Sequence, residues 1–233
     1  MRHDVTGVWR ASWARLQSRV SVNSGEVSRQ LRFWVVALLV GIASGGIALG
    51  FRLGIEAFQA SAYGIDDVSI LATMIGNVPW WWVLLLPILG GLTVGIILHL
   101  FTDDGRVRSV ADVIEGAALR DGRVEVKAGL ASAVSSLITL STGGSTGREG
   151  PVVHLAGVVS TKVAKAMKAD GITGRDLLGC AVAAAVSASF NAPIAGALFA
   201  LEVILRHFAM HAFAPIVVAA VAGTVISRLA VGD

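Results

Sequence analysis

The sequence predicts an all-helical membrane protein with several transmembrane segments, and composition and patterning carry that prediction. Of the 233 residues, 55% are hydrophobic and 15% are charged, whereas soluble domains carry about 25% charged residues. The mean hydropathy of +0.73 agrees with a bilayer environment. Long apolar runs are followed by shorter apolar segments rich in glycine, serine and alanine. The formal charge of +3 therefore gives no reason to expect a nucleic acid partner, and the lipid bilayer is the expected surrounding.

Residues 1–32 form a distinct basic segment. They carry six arginines against two acidic residues, with two tryptophans among them. This composition is typical of an amphipathic helix at a membrane surface, and the positive-inside rule predicts a cytoplasmic location. A cleaved signal peptide is the competing interpretation, but the apolar run 33–51 is too long for a signal core. We therefore divide the chain into a cytoplasmic segment, 1–32, and a transmembrane domain, 33–233.

Two long apolar runs predict complete membrane spans. The run 34–51 contains four glycines at near-helical spacing, and small residues of this kind let helices approach closely in lipid. The run 79–101 opens with three tryptophans, which are typical of a membrane interface. We expect residues 52–78 to form an external loop and residues 102–127 to return to the cytoplasm. The chain is thus predicted to be a multi-pass protein of the cell's inner or plasma membrane, with a cytoplasmic amino terminus.

After residue 127 the apolar segments become short and interrupted. Several fall below the ~20 residues that a helix needs to cross a bilayer. Broken helices at membrane depth persist only where they are buried in protein or line a polar cavity. Such half-helices are typical of transporters and channels. The predicted segments are 128–142, 151–166, 176–190, 192–205 and 213–231.

The most informative motif is Gly147-Arg148-Glu149-Gly150-Pro151, which places two charges between apolar segments. Ionisable groups in such a setting mark an ion or substrate pathway. The proline suits the first turn of a helix, and the free N–H groups and positive dipole end of that helix attract anions. A carboxylate at the same spot competes with the anion. We therefore expect Glu149 to act as a gate.

This motif and a second one resemble those of the CLC family of chloride channels and proton-coupled chloride transporters. Gly143-Gly144-Ser145 precedes the first motif, and Phe190-Asn191-Ala192-Pro193-Ile194-Ala195-Gly196 is followed by Phe199-Ala200-Leu201-Glu202. The resemblance covers roughly residues 34–231. It implies a helical fold with antiparallel internal repeats, of which this chain supplies the first, and a homodimer with one anion pathway per subunit.

The resemblance also implies roles for individual residues. Glu149 corresponds to the gating glutamate, and the residues around it, Arg148, Gly150, Pro151 and Val152, shape the anion site. Glu202 and Phe199 are candidates for a role in transport, although a structural position is favoured for each. The transported ion is chloride or another small anion, and no cofactor is expected.

Two positions depart from the family pattern on the inner side of the site. A serine that is flanked by glycines is expected upstream, and the matching stretch 107–111 has an arginine about where that serine belongs. Either Ser109 substitutes for it or inner anion coordination is altered, so Arg108 and Ser109 are both candidate anion ligands. Exchangers of the family commonly carry a second acid next to Glu202, and here that position is Val203. Passive, channel-like conduction is therefore favoured over proton-coupled exchange.

The second repeat that the resemblance implies has no counterpart within the 233 residues. A pathway built between two inverted repeats needs both halves. We therefore expect the chain to pair with a chain that supplies a second repeat, or to be a non-conducting fragment that assembles with another chain.

A serine hydrolase is an alternative class of function for this sequence. Gly143-Gly144-Ser145-Thr146-Gly147 matches the nucleophile elbow of hydrolases, with His154 as a conceivable base. That motif needs a preceding strand, which the sequence does not predict, and an intramembrane serine hydrolase would not explain the Arg-Glu-Gly-Pro that follows. We expect no enzymatic activity.

Other polar residues have structural interpretations. His207 and His211 are four residues apart, but no third ligand is evident, so no metal site is expected. Asn191 is predicted to cap the start of the helix at Pro193. A direct pair between Arg148 and Glu149 is not expected, because adjacent residues on a helix do not face each other.

Overall fold

The computed structural model describes residues 24–64 and 78–232. Within these residues every regular element is helical, which confirms the predicted fold class. Of the basic segment expected at 1–32, residues 1–23 lie outside the described residues, and so do residues 65–77 of the loop expected at 52–78. The chain divides into two compact units. The first ends at Val36, and its described part is the beginning of the first helix; the second is Ala37–Asp233.

The helices follow one another with short connections, and their bounds agree with most of the predicted segments. Three stretches in the described part of the chain are long and apolar enough to cross a membrane, namely Ser28–Tyr63, Trp80–Phe101 and Met210–Val231. In chain order the elements are α1 (Ser24–Tyr63), α2 (Trp80–Phe101), α3 (Val110–Leu119), α4 (Val126–Ser141), α5 (Glu149–Ala166), α6 (Gly171–Phe190), α7 (Pro193–Phe199) with a π-helical continuation (Ala200–Leu205), and α8 (Met210–Val231).

Helix α1 is longer than the sequence predicted. It continues to Tyr63, so the expectation of an external loop from residue 52 was wrong for residues 52–63. The physical reason is packing against other helices. Gln59 Nε2 donates to the carbonyl oxygen of Leu140 in α4 at 3.1 Å, the carbonyl oxygen of Ala62 accepts from Trp82 Nε1 in α2 at 2.8 Å, and Tyr63 is buried. The exposed pair of Arg52 Nε with Glu56 Oε1, at 2.9 Å across one helical turn, adds a small local contribution.

Helix α6 is the buried centre of the second unit. Its residues from Leu177 to Val186 are all buried, and α5, α7 and α8 pack against it. Most of its buried side chains are alanines or other small residues, including Cys180. Small side chains allow several helices to approach one central helix closely. This packing fixes the relative positions of the elements that carry the candidate site.

Glycines bring α1 and α8 into close contact, as the spacing in the first apolar run predicted. A Cβ added at Gly45 would lie 2.7 Å from the Cα of Gly223, and one added at Gly41 would lie 2.8 Å from the Cα of Ala219. Real Cβ atoms do not approach backbone that closely. The two helices therefore cross with their backbones almost touching, which only small residues permit.

The predicted role of Asn191 was wrong. Asn191 ends α6 in the left-handed conformation, with φ of 54°, and Ala192 precedes α7 as its N-cap. Asparagine tolerates this conformation at a helix end better than most residues do. Its Oδ1 accepts a hydrogen bond of 2.6 Å from Arg228 Nε on α8. Asn191 thus stops α6 and ties that end to α8.

Candidate anion site

The candidate site begins at the start of α5. Arg148 is the N-cap residue and Glu149 the first helical residue, with no side chain capping the free N–H groups. The first backbone bond of the turn runs from Val152 N to Arg148 O at 3.4 Å. Pro151 has no N–H, so the N–H groups of Glu149 and Gly150 are the donors without an intrahelical partner. Pro151 and Val152 are buried, whereas Gly150 is half-buried.

The start of α3 lies beside the start of α5. A Cβ at Gly150 would lie 3.8 Å from the Cα of Ser109 and 4.0 Å from the N of Val110. Two helix N-termini thus converge on one spot, each with a positive dipole end. Because Gly150 has no side chain, its backbone lies close to the start of α3 with no Cβ between them.

Ser109 is the N-cap of α3 and forms a capping box with Asp112. Ala111 N donates to Ser109 Oγ at 3.3 Å, and Ser109 N donates to the Asp112 carboxylate at 2.7 Å. The Ser109 hydroxyl also donates to Asp112 Oδ2 at 3.2 Å. The serine followed three residues later by an acid is a recognisable signal of a helix start. Sequence reasoning missed Asp112, although this spacing was available to find it.

Arg148 and Glu149 contact each other, contrary to the sequence-based expectation. Arg148 Nε lies 3.5 Å from Glu149 Oε1, with both side chains more than one-third exposed. The expectation failed because Arg148 precedes the helix as its N-cap, so the rule for neighbours inside a helix does not govern it. The pair is long for a salt bridge and exposed, so it holds Glu149 only weakly.

The other side of Arg148 faces a small cavity of about 10 Å³ that a second arginine, Arg52 of α1, also lines. The serines 189 and 227 complete the polar lining, from the ends of α6 and α8. This volume holds about one water molecule. Two guanidinium groups therefore lie near the start of α5, and each is paired with a glutamate, Arg52 with Glu56 and Arg148 with Glu149.

Arg108 is engaged by carboxylates on three sides. Its guanidinium lies 2.7 Å from Asp104, 2.8 Å from Glu125 and 3.9 Å from Asp112, and its side chain is 9% exposed. Its backbone N donates to Ser132 Oγ at 2.8 Å. These carboxylates come from the segment before α3, from the start of α4 and from α3 itself. Arg108 thus joins these elements, and the structure directs its charge away from the convergence at Gly150 and into this network.

The network extends through two more arginines and lowers the pKa of two of its acids. Hydrogen bonds from Arg108 and then Arg106 hold the pKa of Asp104 well below its usual range. A hydrogen bond from Arg120, followed by the charge of Arg108, lowers the pKa of Glu125. In both cases the cation favours the ionised carboxylate. Asp104 and Glu125 therefore stay charged at neutral pH.

A cavity of about 210 Å³ lies within this network. Its lining consists of charged side chains together with Val124 and the imidazole of His154, which is buried with 1% exposure. Since a water molecule takes about 30 Å³ of liquid, the cavity has room for several waters. The charged members of the lining are Asp104, Arg106, Arg108, Asp112, Glu115, Arg120, Arg123 and Glu125.

Of the candidates near the second motif, Phe199 is the last residue of α7 and Glu202 lies on its π-helical continuation. Glu202 is exposed, and Val203 beside it is 37% exposed. Phe199 is half-buried and packs against the hydrophobic core. The widened helix ends at Arg206, which takes the left-handed conformation with φ of 58°. π-helical turns are frequent at functional sites, but the structure brings none of these residues to Gly150 by a described contact.

The residues of the hydrolase alternative are not assembled into a catalytic pair. Ser145 is exposed in the connection that follows α4. The element before it is thus a helix, whereas a nucleophile elbow needs a strand there. His154 is buried and its Nε2 lies 3.2 Å from the carbonyl oxygen of Glu125. His211 Nε2 lies 3.5 Å from the buried Asp176 carboxylate. Among the described residues, no group of three potential ligands is placed to hold a metal ion.

Comparison with known sequences gives consistent relatives. A protein of Ralstonia nicotianae described as a putative chloride channel protein ClcB-like is 32% identical over 197 residues, covering 83% of this chain and 46% of that protein. The voltage-gated ClC-type chloride channel ClcB of Escherichia coli O81 is 30% identical over 202 residues, covering 84% of this chain and 46% of that protein. The chain thus spans about half the length of the curated relatives that it matches.

Solved structures share the fold. A slow cyanobacterial Cl-/H+ antiporter superposes with a TM-score of 0.70 at 22% identity, covering 87% of this chain and 47% of that one. A CLC-type fluoride/proton antiporter superposes with a TM-score of 0.65 at 21% identity, covering 91% of this chain and 49% of that one. The profile of the voltage gated chloride channel family matches residues 90–233, which include both convergent helix starts and both sequence motifs. The chain is an integral membrane protein that belongs to the voltage-gated chloride channel, or CLC, family.

Proposed function

We propose that this chain forms one wall of a pathway for chloride and similar small anions, gated by Glu149. The observation that carries the proposal is the convergence of the α3 and α5 N-termini at Ser109 and Gly150. Free N–H groups and helix dipoles at such a junction stabilise an anion. Arg148 and the backbone from Gly150 to Val152 shape the outer side of this site.

Glu149 controls occupancy by competing with the anion. Its carboxylate sits on the first residue of α5, and its Oε2 lies 3.4 Å from the position of a Cβ at Gly147, so the side chain folds back over the helix start. In that position the ionised group neutralises the positive end of the helix. When Glu149 is protonated or swings aside, an external anion takes its place.

Ser109 is the inner ligand in this proposal, and Arg108 supports it. The Ser109 Cα stands close to Gly150, and its hydroxyl can turn from Asp112 towards an anion. The Arg108 guanidinium is occupied by carboxylates, so its task is to fix the backbone that precedes Ser109. This assignment favours the alternative in which Ser109 substitutes for the family's serine.

Passive conduction is the mode of transport that we propose. The position beside Glu202 that carries a second acid in many family exchangers is Val203 here, and valine binds no proton. The curated relatives bear the name chloride channel, whereas the solved relatives are antiporters. Glu202 and Phe199 are assigned at most an indirect role, since the described contacts do not connect them to the α5 start.

The opposite wall comes from another protein surface. Arg148 and Glu149 are 48% and 38% exposed in this chain, and half-exposed charges at membrane depth are expensive. We propose that a second repeat, on a partner chain, covers them, and that the assembled unit forms a dimer. In this arrangement the amino terminus is cytoplasmic and the protein lies in the inner or plasma membrane.

Chloride efflux from liposomes tests the proposal. The purified chain is reconstituted alone and with a partner chain that carries a second repeat, each as wild type and as Glu149→Gln. We expect Glu149→Gln to raise efflux and to remove its pH dependence, because the neutral amide does not compete with chloride. Glu56→Gln is the matched control, since Glu56 is an exposed α1 glutamate paired with Arg52.

Two results would contradict the proposal. If efflux is present and Glu149→Gln leaves its rate and pH response unchanged, Glu149 is not the gate. If no preparation conducts, including the one with the partner chain, the chain is a non-conducting fragment. The second result favours the alternative raised by its coverage of about half of each relative.

A further inference from the structure

Three lysines at the end of α5 belong to neither the proposed anion site nor the charged cavity. Lys162 and Lys165 lie near the end of the helix, and Lys168 follows its C-cap residue, Met167. All three side chains are exposed, and none of their ammonium groups forms an ion pair or a hydrogen bond with a described residue. Together they form an exposed positive patch, which we call the lysine surface.

Lys168 has a backbone conformation that favours glycine. Its φ is 52°, and the N–H of Ala169 donates to the carbonyl oxygen of Ala164 at 2.9 Å. This left-handed turn closes many helices, and glycine is its usual residue because glycine has no Cβ to clash with the backbone. A lysine is less stable than a glycine at such a position. The turn itself therefore does not explain why a lysine is here.

The acids near the lysine surface have partners of their own. Asp170 is the N-cap of α6, and its carboxylate accepts from the N–H of Thr173 at 2.8 Å. Asp121 reaches the start of α6 at Gly171, and its Oδ1 lies 3.5 Å from Arg175 Nη2. Both carboxylates are thus directed to α6. The positive charge of the lysine surface remains available to an external anionic group.

The length of α5 places these lysines at the depth of lipid headgroups. The helix begins at Glu149, in the proposed anion site, and an α-helix rises 1.5 Å per residue. Lys162 and Lys165 are therefore about 20 Å and about 24 Å from Glu149 along the helix axis. The headgroup region lies about 15–22 Å from the middle of a bilayer. An anion site near the middle of the membrane thus puts both lysines at its surface.

A contact with the segment after α2 assigns the lysine surface to the cytoplasmic side. Val124 N donates to Thr161 Oγ1 at 2.9 Å, so the segment 102–127 packs against α5 next to Lys162. A cytoplasmic location is expected for this segment, and three more lysines beside it agree with the positive-inside rule. The cytoplasmic leaflet carries anionic lipids, which attract basic groups at the membrane surface.

We propose that the lysine surface binds the headgroup of an anionic phospholipid of the cytoplasmic leaflet. The lipid phosphate lies among the three ammonium groups. Met167 and Ile172, which are 43% and 65% exposed, contact the beginning of the acyl chains. The bound lipid holds the end of α5 at the membrane surface and so fixes the depth of Glu149 at its other end. This inference rests on the position of the proposed anion site.

Lipid titration of the detergent-solubilised chain, followed by native mass spectrometry, tests the inference. The probe is dioleoylphosphatidylglycerol, and dioleoylphosphatidylcholine is the comparison lipid without net charge. We expect tighter binding of phosphatidylglycerol. Lys162→Gln and Lys165→Gln should each weaken it about fivefold, because one lysine at an anionic membrane surface contributes about that factor. Arg206→Gln is the matched control, since Arg206 is an exposed cation after the π-helical segment, and it should leave the affinity unchanged.

Lys168→Gly separates lipid binding from a structural role of this lysine. Because glycine suits a φ of 52°, the variant should not lower the unfolding temperature. It should nevertheless weaken phosphatidylglycerol binding about fivefold, since it removes one ammonium group. Thermal unfolding and the lipid titration are measured on the same preparation.

Three results would overturn the inference. The first is equal affinity of the wild-type chain for the two lipids, and the second is unchanged phosphatidylglycerol binding in all three lysine variants. The third is competition by inorganic phosphate at the same concentration as the lipid, because the surface would then bind a free anion. The titration involves no chloride, so its outcome is separate from the efflux of Glu149→Gln, which tests the proposed anion site.

Discussion

Ser109 and Arg108 are neighbours in the chain with different tasks. Ser109 caps α3 within reach of the Gly150 backbone, whereas the Arg108 side chain turns into a network of carboxylates. From the sequence alone both were candidate anion ligands, because an arginine near an anion motif is an obvious ligand. Of the three acids around it, Asp104 and Asp112 are four residues away, whereas Glu125 is seventeen residues after it, which local spacing does not reveal.

Substitutions of these two residues should separate the two tasks. Ser109→Ala should weaken chloride binding about tenfold, because a hydrogen bond to a charged group contributes about 1.5–3 kcal/mol. Arg108→Gln should leave affinity nearly unchanged and lower the unfolding temperature, since it leaves the facing carboxylates without their cation. Calorimetry and thermal unfolding in detergent measure both effects. A larger loss of affinity in Arg108→Gln than in Ser109→Ala would reverse the assignment.

At the scale of the element, the sequence predicted positions better than boundaries. Segment 79–101 agrees with α2, Trp80–Phe101, to one residue, because the aromatic start and the charges after residue 101 mark both ends. The end of α1 was missed because the residues after its apolar part are held by contacts with α2 and α4, at Ala62 and Gln59, which local patterning does not reveal. Asn191 was assigned to the wrong helix, since asparagine is favoured both before and after helices.

The crossing of α1 and α8 makes a prediction at this scale. Gly45→Ala should destabilise the protein by about 1–3 kcal/mol, because its methyl group would enter the backbone of Gly223 and overpacking costs that much. Gly46→Ala is the matched control, since nothing lies within 4 Å of its Cβ position. Thermal unfolding of both variants measures this difference in stability. Equal stability of the two variants would mean that the helices do not cross at Gly45.

For the whole molecule, the family and the helical fold were predictable because two motifs lie in order at the correct separation. The convergence of α3 with α5 was not predictable from physical patterning. It brings together Ser109 and Gly150, which are separated along the chain by the whole of α3 and α4. The charged cavity was missed because its lining residues come from distant parts of the chain. They lie in the α2–α3 connection, in α3, between α3 and α4, and on α5.

The location of a bound anion tests the central claim most directly. Crystals of the Glu149→Gln chain, grown in bromide and measured at the bromine absorption edge, would show the anion by its anomalous signal. We predict a peak between the two helix starts, within hydrogen-bond distance of the Gly150 N–H or the Ser109 hydroxyl, and a weaker peak when Glu149 is present. A bromide bound elsewhere, with none at this junction in either protein, would contradict the account.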